Sequence, residues 1–406
     1  MKKLLFLSIS VVVAMVMSAF LLPNIKKANE LPNNMVVTYS DIKQVNEADE
    51  FSPFINLVLP KNINVSSTDE LTNTTLSIKL FNLFTIKKVN VRLLVDTDVY
   101  VGGETVGFNL FSDGVICVGS NAVVTANGTK EPIKDSGLQE GDAIIEIEDI
   151  EIESIDDIDR IINLPTLAGK ELTLTVKRAT KEMEIKVLPV FDMFSHKYKL
   201  GLWVRNSASG VGTLTYIKQS DFRFGAVGHP IVDNSLGENF EVENGNIYKC
   251  SLLGIKKGEK NNPGEIRSSI NLSDDAIGFA DTNCKYGVYG NILNKSFIDA
   301  NKTATLGGRL SVELGEAKIY CALDNQGVKG YDIKIIKANN QNSPDDKSMI
   351  IKVTDKELLQ KTGGIIQGMS GSPIIQNGKL VGAVTHVFLN DPTRGYGVYV
   401  DWMLDN

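Results

Sequence analysis

Two apolar runs near the C-terminus, Pro373-Ile374-Ile375-Gln376 and Lys379-Leu380-Val381-Gly382-Ala383-Val384, are separated only by Asn377-Gly378. Asn-Gly supplies the positive φ angles of a two-residue turn, so the stretch reads as a β-hairpin. The residues leading into it, Gly368-Met369-Ser370-Gly371-Ser372-Pro373, form a loop punctuated by glycine. Strand-like runs and glycines recur from Phe191 to Asn406, and 35 glycines against two tryptophans fit a mainly β chain rich in turns. At 406 residues it exceeds what one hydrophobic core usually serves, so several domains are expected.

At the other end, Lys2 and Lys3 precede an apolar run from Leu4 to Leu22 broken only by Ser8, Ser10 and Ser18. Its length approaches the ~20 residues that span a bilayer, and the lysines favour a cytoplasmic N-terminus. A transmembrane signal-anchor over 1–23 is expected, with the remaining chain outside the cytoplasm. A cleaved signal peptide is the competing reading, but Met17, two residues before Ala19, spoils the small-residue cleavage pattern. Residues 24–75 are polar and asparagine-rich, with Pro32, Pro53 and Pro60 among them, and read as a tether with little core of its own. Ile78, Leu80, Leu83, Ile86, Val89, Val91 and Leu93 then predict two leading strands, so that 24–95 is tether and leading strands.

A formal charge of −7 argues against a nucleic-acid partner, which selects a basic face. The four cysteines (Cys117, Cys250, Cys284, Cys321) show no CxxC spacing and are read as buried free thiols, with disulfides as the alternative. None of the three histidines, His196, His229 and His386, lies in an HExxH pattern, so no zinc site is expected, and no cofactor.

Between 96 and 190, Gly102-Gly103 precede Val106-Gly107-Phe108-Asn109-Leu110, and Val115 to Val118 form a short apolar strand. The turn Ser136-Gly137-Leu138-Gln139-Glu140-Gly141-Asp142 leads into a strand from Ala143 to Ile147. Ile155, Ile158, Ile161 and Ile162 follow at helical spacing, and Leu172 to Lys177 closes the unit. This order resembles a PDZ domain of the bacterial, permuted kind. The resemblance implies that an extended peptide terminus adds as a strand to a sheet edge. Val106, Gly107 and Phe108 would be the loop that receives it, with Gly107 allowing close backbone approach.

The loop Gly368–Pro373 resembles the nucleophile loop of trypsin-like peptidases, in which a hairpin also follows. Glycine lets such a loop turn the N–H groups of Gly368 and Ser370 toward one point, where a carbonyl oxygen can become an oxyanion. Ser370 is the expected nucleophile; Ser372 stands where glycine is commoner. A serine hydroxyl needs a base. His229, in Phe224-Gly225-Ala226-Val227-Gly228-His229-Pro230 at the end of a strand-like run, is the candidate. His386, in Val384-Thr385-His386-Val387, would line the cleft. Asp355 is the first choice for the carboxylate that fixes the imidazole tautomer, with Asp281 and Asp221 as weaker options. The competing reading of Asp355 is a cap on the helix that starts near Lys356.

With these residues in hand, the chain resembles the stage IV sporulation signalling peptidases (SpoIVB-like) of endospore-forming bacteria. The resemblance is most specific in Gly201-Leu202-Trp203-Val204-Arg205, in Ser209-Gly210-Val211-Gly212-Thr213-Leu214-Thr215, and from Thr362-Gly363-Gly364-Ile365 through the serine loop to Thr385-His386-Val387. It implies an anchor, a PDZ domain and, over 191–406, a trypsin-like double β-barrel peptidase domain, with the triad on His229, Asp355 and Ser370. Pro230 stands where glycine is typical. It also implies a serine endopeptidase in the intermembrane space of the forespore. Such an enzyme would cut its own tether and then a membrane-bound regulator of an intramembrane protease complex. A non-catalytic PDZ adaptor and an extracytoplasmic quality-control protease are the alternatives.

Overall fold

The computed structural model describes residues 19, 21–61, 71–134, 136–233 and 235–404. The expected anchor over 1–23 lies, apart from its last few residues, outside them. Among the described residues no helix is long and apolar enough to cross a membrane.

Strands whose alternate residues are apolar close into two rings. In the first, Thr105–Ser120, Leu202–Lys218, Arg223–Ala226, Gly287–Ile292, Gly278–Cys284 and Asn244–Lys256 follow one another, each antiparallel to the next. Asn244–Lys256 then pairs back onto Thr105–Ser120. Phe108, Leu110, Leu214, Phe224, Ile247 and Val288 fill it.

The second ring runs Gly315–Ala322, Val328–Ala338, Met349–Val353, Arg394–Tyr399, Lys379–Val387 and Pro373–Gln376, and Pro373–Gln376 returns to the first strand. Ile319, Ile333, Ile351, Met369, Ile374 and Val384 are among its core. The Asn377-Gly378 hairpin expected from the sequence is part of this ring. Closure leaves neither sheet an unpaired edge, which suits strands with one apolar face. Asp98–Val101 and Thr303–Leu306 bridge the rings, pairing with Leu202–Lys218 on one side and Lys379–Val387 on the other.

A further body is inserted between the first two strands of the first ring. Thr105–Ser120 and Leu202–Lys218 both run out of the ring, and their register shifts between Arg205 and Ser207, where the ladder passes from one body to the other. In the inserted body the sheet continues from 115–116 to Ala143–Ile147, Leu172–Arg178 and Lys181–Val187. The helix Ile155–Ile162 buries Ile158, Ile161 and Ile162 in a core shared with Val115, Ile144 and Leu174.

This topology corrects the expected peptide loop. Val106, Gly107 and Phe108 lie inside the first ring, where Gly107 faces Val211 on one neighbour and Tyr248 on the other. Both edges are paired, so no incoming strand can add there. Gly107 is needed for another reason: a Cβ would meet Ile270 Cδ1 at 2.3 Å. Residues 98–111 therefore belong with the rings and not with the inserted body, contrary to the boundary expected at 96.

The reading of 24–75 as a tether is also corrected. Asn34–Thr38, Phe84–Leu94, Thr72–Leu80 and Ile55–Val58 form a sheet in that order, with Asn34–Thr38 parallel to its neighbour and the other pairs antiparallel. The helix Tyr39–Glu47 begins with a capping box between Thr38 and Asp41. Met35, Val37, Ile42, Leu76, Ile78, Val89 and Val91 make the core of this lobe. Most of the polar residues that dominate the composition occupy outward positions, with Thr38, Asp41 and Ser52 buried.

The lobe is fixed to the second ring. The buried Asp41 carboxylate accepts from the Gly308 N–H at 2.8 Å, from Lys379 Nζ at 2.7 Å and from the Ser311 hydroxyl. Val36 and Leu94 enter the ring's own core.

Candidate active site

The loop between Ile366 and Pro373 is shaped by its own turns and by one strand of the opposite ring. Met369 N–H donates to the Ile366 carbonyl at 3.2 Å, Ser372 N–H to Met369 at 2.9 Å, and Gly371 N–H to Val384 at 2.7 Å. From the first ring, Thr213 N–H donates to the Ser370 carbonyl and Thr213 Oγ1 to the Gly368 carbonyl, both at 2.8 Å. Thr215 Oγ1 donates to the Gly371 carbonyl at 2.7 Å. Gly368 and Gly371 have φ of 93° and 96°. Glycine suits both, and at Gly371 a Cβ would also collide with the Thr213 carbonyl oxygen, 2.0 Å away. Among the described residues, no hydrogen bond takes up the N–H of Gly368 or Ser370, although those of Met369, Gly371 and Ser372 are all used.

The two serines of the loop differ. Ser372 is fully buried and its hydroxyl finds no partner. Ser370 is half-buried and its Oγ donates to the Thr385 carbonyl at 2.7 Å. An attacking hydroxyl must reach substrate, which Ser372 cannot do.

His229 sits in the turn after Arg223–Ala226, where Val227 and Gly228 have φ of 71° and 74°. The turn is held by the Val227 N–H donating to the Thr213 carbonyl at 3.0 Å. Gly228 packs beside Thr385, whose Cγ2 lies 3.2 Å from where a Cβ would be. Thr213 and Thr385 thus touch both the serine loop and the histidine turn, which holds the two segments side by side. The Nδ1–H of His229 donates to the Pro230 carbonyl at 2.9 Å. A carbonyl can only accept, so the neutral ring carries its proton on Nδ1 and its lone pair on Nε2. Burial lowers the imidazole below its ordinary value, against the raising influence of the Pro230 carbonyl and of Asp346.

His386 lies beside this histidine. The two ring centroids are 5.2 Å apart and the planes are tilted by 36°. Asp346 Oδ2 is 3.8 Å from His386 Nδ1. His196 is elsewhere, against Phe191 in the inserted body.

The expected acid is not brought to the imidazole. Asp355 is the N-cap of the helix Lys356–Thr362, accepting from the Leu358 N–H at 2.9 Å and the Asp332 N–H at 3.4 Å. Asp281 is held in a two-pronged pair with Arg223 at 2.8 and 3.0 Å, and Asp221 accepts from the Arg223 N–H. Asp346, whose carboxylate lies beside His386, is not singled out by the sequence. It lies in the polar run Asn339-Asn340-Gln341-Asn342-Ser343-Pro344-Asp345-Asp346-Lys347, which has no periodicity to mark it.

The profile of the SpoIVB peptidase S55 family matches residues 196–404, a span that takes in His229, Asp346, Ser370 and His386. No curated protein matches the chain. Among solved structures the chain is similar to the active form of the Rv3671c protease from M. tuberculosis, at 15% identity and a TM-score of 0.27, covering 49% of this chain and 72% of that one. It is similar also to the inactive form of that protease, at 14% identity and a TM-score of 0.25, covering 48% and 81%. With TM-scores this low, the assignment rests on the profile match: the chain belongs to the SpoIVB peptidase S55 family and is a serine peptidase.

Proposed function

We propose that Ser370 attacks the scissile carbonyl of an extended protein segment, with His229 as general base and the N–H groups of Gly368 and Ser370 as oxyanion donors. The observation that carries this reading is the pair of unused N–H groups on the loop that holds an accessible serine. In the resting arrangement the hydroxyl donates to Thr385. Catalysis requires it to turn about χ1 toward His229 Nε2, which takes the proton and later returns it to the leaving amine. The two closed rings, with base and nucleophile contributed by opposite rings, resemble the trypsin-like double barrel.

Membership of the family supports a role in sporulation signalling. The enzyme would be anchored outside the cytoplasm, in the space between forespore and mother cell, and would cleave itself and a membrane-bound regulator of an intramembrane protease complex. Paired backbone is a poor protease substrate, so the cut that frees the enzyme is proposed to avoid the strands and helix of the lobe over 34–94.

The inserted body is proposed to be PDZ-like, with its peptide groove away from the residues first expected. Residues 202–205 pair on one side with 116–120, and among the described residues no strand occupies their other side. That edge faces Ile155, Ile158 and Ile162 of the helix across a groove also lined by Leu202 and Val204. An extended peptide terminus would add there as a strand.

Fluorophosphonate labelling of the full chain in detergent tests the catalytic reading. Labelling on Ser370, lost in Ser370→Ala, is the expected result. An unlabelled parent that still binds peptide termini would leave the adaptor reading in its place.

A further inference from the structure

The carbonyls of the serine loop are held from different places. Ile366 accepts from the Met369 N–H and Met369 from the Ser372 N–H, both bonds internal to the loop. The Gln367 carbonyl is held from outside: the Ile266 N–H donates to it at 2.8 Å, and the Gln367 N–H donates to the Gly264 carbonyl at 2.9 Å. Gly264 and Ile266 lie where Glu265–Ile270 begins. That strand is the second arm of a hairpin whose first arm is Asn244–Lys256 of the first ring.

The tip of the hairpin reaches the second ring as well. The Gly258 N–H donates to the Thr362 carbonyl at 2.8 Å, and the Asn261 N–H to the Leu389 carbonyl at 2.7 Å. At Gly264 a Cβ would lie 2.4 Å from both the Gly258 nitrogen and the Lys256 oxygen, and 2.7 Å from Ile366 Cγ2. Only glycine allows hairpin and loop to approach this closely. Ile266 packs against the loop too, its Cβ 3.0 Å from where a Gly368 Cβ would be.

A trans peptide unit is planar, with its C=O and N–H directed to opposite sides. Holding the Gln367 carbonyl toward Ile266 therefore turns the Gly368 N–H away from the hairpin. By the same geometry the Met369 carbonyl, held by Ser372, turns the Ser370 N–H. Those are the two N–H groups that no hydrogen bond takes up among the described residues. One is aimed by the loop itself and the other by the first ring.

We propose that the strand Glu265–Ile270 is the positioning element of the oxyanion hole: the Ile266 N–H fixes the Gln367–Gly368 peptide so that the Gly368 N–H meets the tetrahedral intermediate. This rests on the reading of Ser370 as nucleophile and Gly368 as oxyanion donor. Glycine at 368 adds little resistance to rotation. Without the Ile266 bond the peptide can turn over and bring a carbonyl, in place of a donor, to the developing negative charge. The first ring then supplies part of the oxyanion hole as well as the base.

The test uses the full chain in detergent as parent, Ile266→Pro, Ile266→Ala and Ser268→Pro. Ile266→Pro removes the N–H that holds Gln367. Ser268→Pro is the control for proline in the same strand. Leu252, opposite Ser268, gives both its backbone groups to the Asn325 side chain. The Ser268 N–H thus also points away from the first arm, and among the described residues no acceptor meets it, so proline is tolerated there. Two quantities are measured: turnover of a short peptide, and affinity for a peptide boronate, whose adduct with Ser370 places an oxygen where the oxyanion forms.

In Ile266→Pro kcat should fall by about 10²–10³, the cost of one oxyanion donor. Boronate affinity should weaken in step, while KM and binding of the cleaved peptide change little. Ile266→Ala keeps the N–H and should recover most of the turnover, and Ser268→Pro should stay near the parent. The acid limb of the rate profile, where His229 becomes protonated and stops working as a base, should coincide in all four. A kcat for Ile266→Pro within about threefold of that for Ser268→Pro overturns the proposal. So does lost turnover with boronate affinity retained, an equal loss in Ile266→Ala, or a displaced acid limb, which would mean that the histidine turn had moved. If Ile266→Pro does not fold, amide hydrogen exchange is followed in the parent. An Ile266 amide protected in the free enzyme, with Gly368 protected only once the boronate binds, supports the proposal. An Ile266 amide that stays open until then overturns it. A parent that fails to label with fluorophosphonate at Ser370 would instead remove the peptidase reading, and this inference with it.

Discussion

The ring built around Phe108 and Phe224 and the ring built around Ile319 and Ile351 share a strand count and differ in how the rest of the chain is attached. The first is opened by an insertion, and the strand Leu202–Lys218 runs unbroken from the proposed groove at 202–204 to Thr213 and Thr215, which grip the serine loop. The second has no inserted body. It is covered by the N-terminal lobe, through Asp41 with Lys379, and carries a buried Arg309–Asp401 pair of its own. A register shift lets a strand pair bend, whereas a buried ion pair is costly to break once formed. The difference teaches that a ligand in the proposed groove would have a mechanical route to the nucleophile through the first ring, while the second ring would hold the nucleophile still.

If the rings work as one catalytic unit, the largest losses should come from either ring equally. Ser370→Ala and His229→Ala should each reduce turnover by about 10⁶-fold, and the double variant should be no worse than either. Measured kcat for the three decides this; additive losses would mean that the first ring supplies something other than the base. Ser372→Ala removes a buried hydroxyl that has no partner, so turnover should persist and the melting temperature should hold or rise slightly.

The second ring's rigidity is probed through the lobe. Asp41→Ala leaves Lys379, largely buried, without its carboxylate and strips acceptors from Gly308 and Ser311. Breaking a buried pair in this one-sided way costs about 3–5 kcal/mol, so urea unfolding should shift well to the left. A variant as stable as the parent would show that the lobe merely rests on the ring.

On the first ring the expected effect is smaller and selective. Ile155 is 42% exposed and lines the groove, so Ile155→Glu should fold normally. Losing part of one apolar contact corresponds to roughly tenfold weaker peptide binding. Cleavage of a regulated protein substrate should fall by a similar factor while hydrolysis of a short peptide is unchanged. Equal loss on both substrates would break the separation between groove and cleft.

The serine loop and its hairpin were legible because every signal is local: glycines where φ is positive, then Asn-Gly between apolar runs. His229 and His386 were legible by scarcity, since only three histidines exist. What failed was long-range. Thr105–Ser120 is one strand serving two bodies, and its local pattern does not say which partner faces which half. The lobe over 34–94 was hidden by composition. Val89, Val91 and Leu93 mark Phe84–Leu94 as a strand, and they are buried while Lys88 and Asn90 are exposed, but the asparagine-rich stretch before it hid Asn34–Thr38 and Ile55–Val58, two further strands of its sheet. Asp346 had no signal, because only the fold sets it beside His386.

Asp355→Asn is the smallest expected effect. Asp355 belongs to the second ring's scaffold: its carboxylate caps Lys356–Thr362, the helix ends at Gly363 with φ 78°, and the Thr362 carbonyl accepts from Gly258 at 2.8 Å. From there the chain enters the serine loop, so the cap sets where the loop begins. Asparagine caps about as well as aspartate, whereas alanine costs about 1 kcal/mol. Asp355→Asn should therefore keep kcat within about twofold and leave the acid limb in place, while Asp355→Ala should lower stability more than rate. A loss near 10⁴-fold in Asp355→Asn, the size expected when a triad acid is replaced by its amide, would show that the working enzyme rearranges to bring Asp355 to His229. That outcome would return the acid to the residue the sequence first pointed to, and would make the cap a property of the resting state alone.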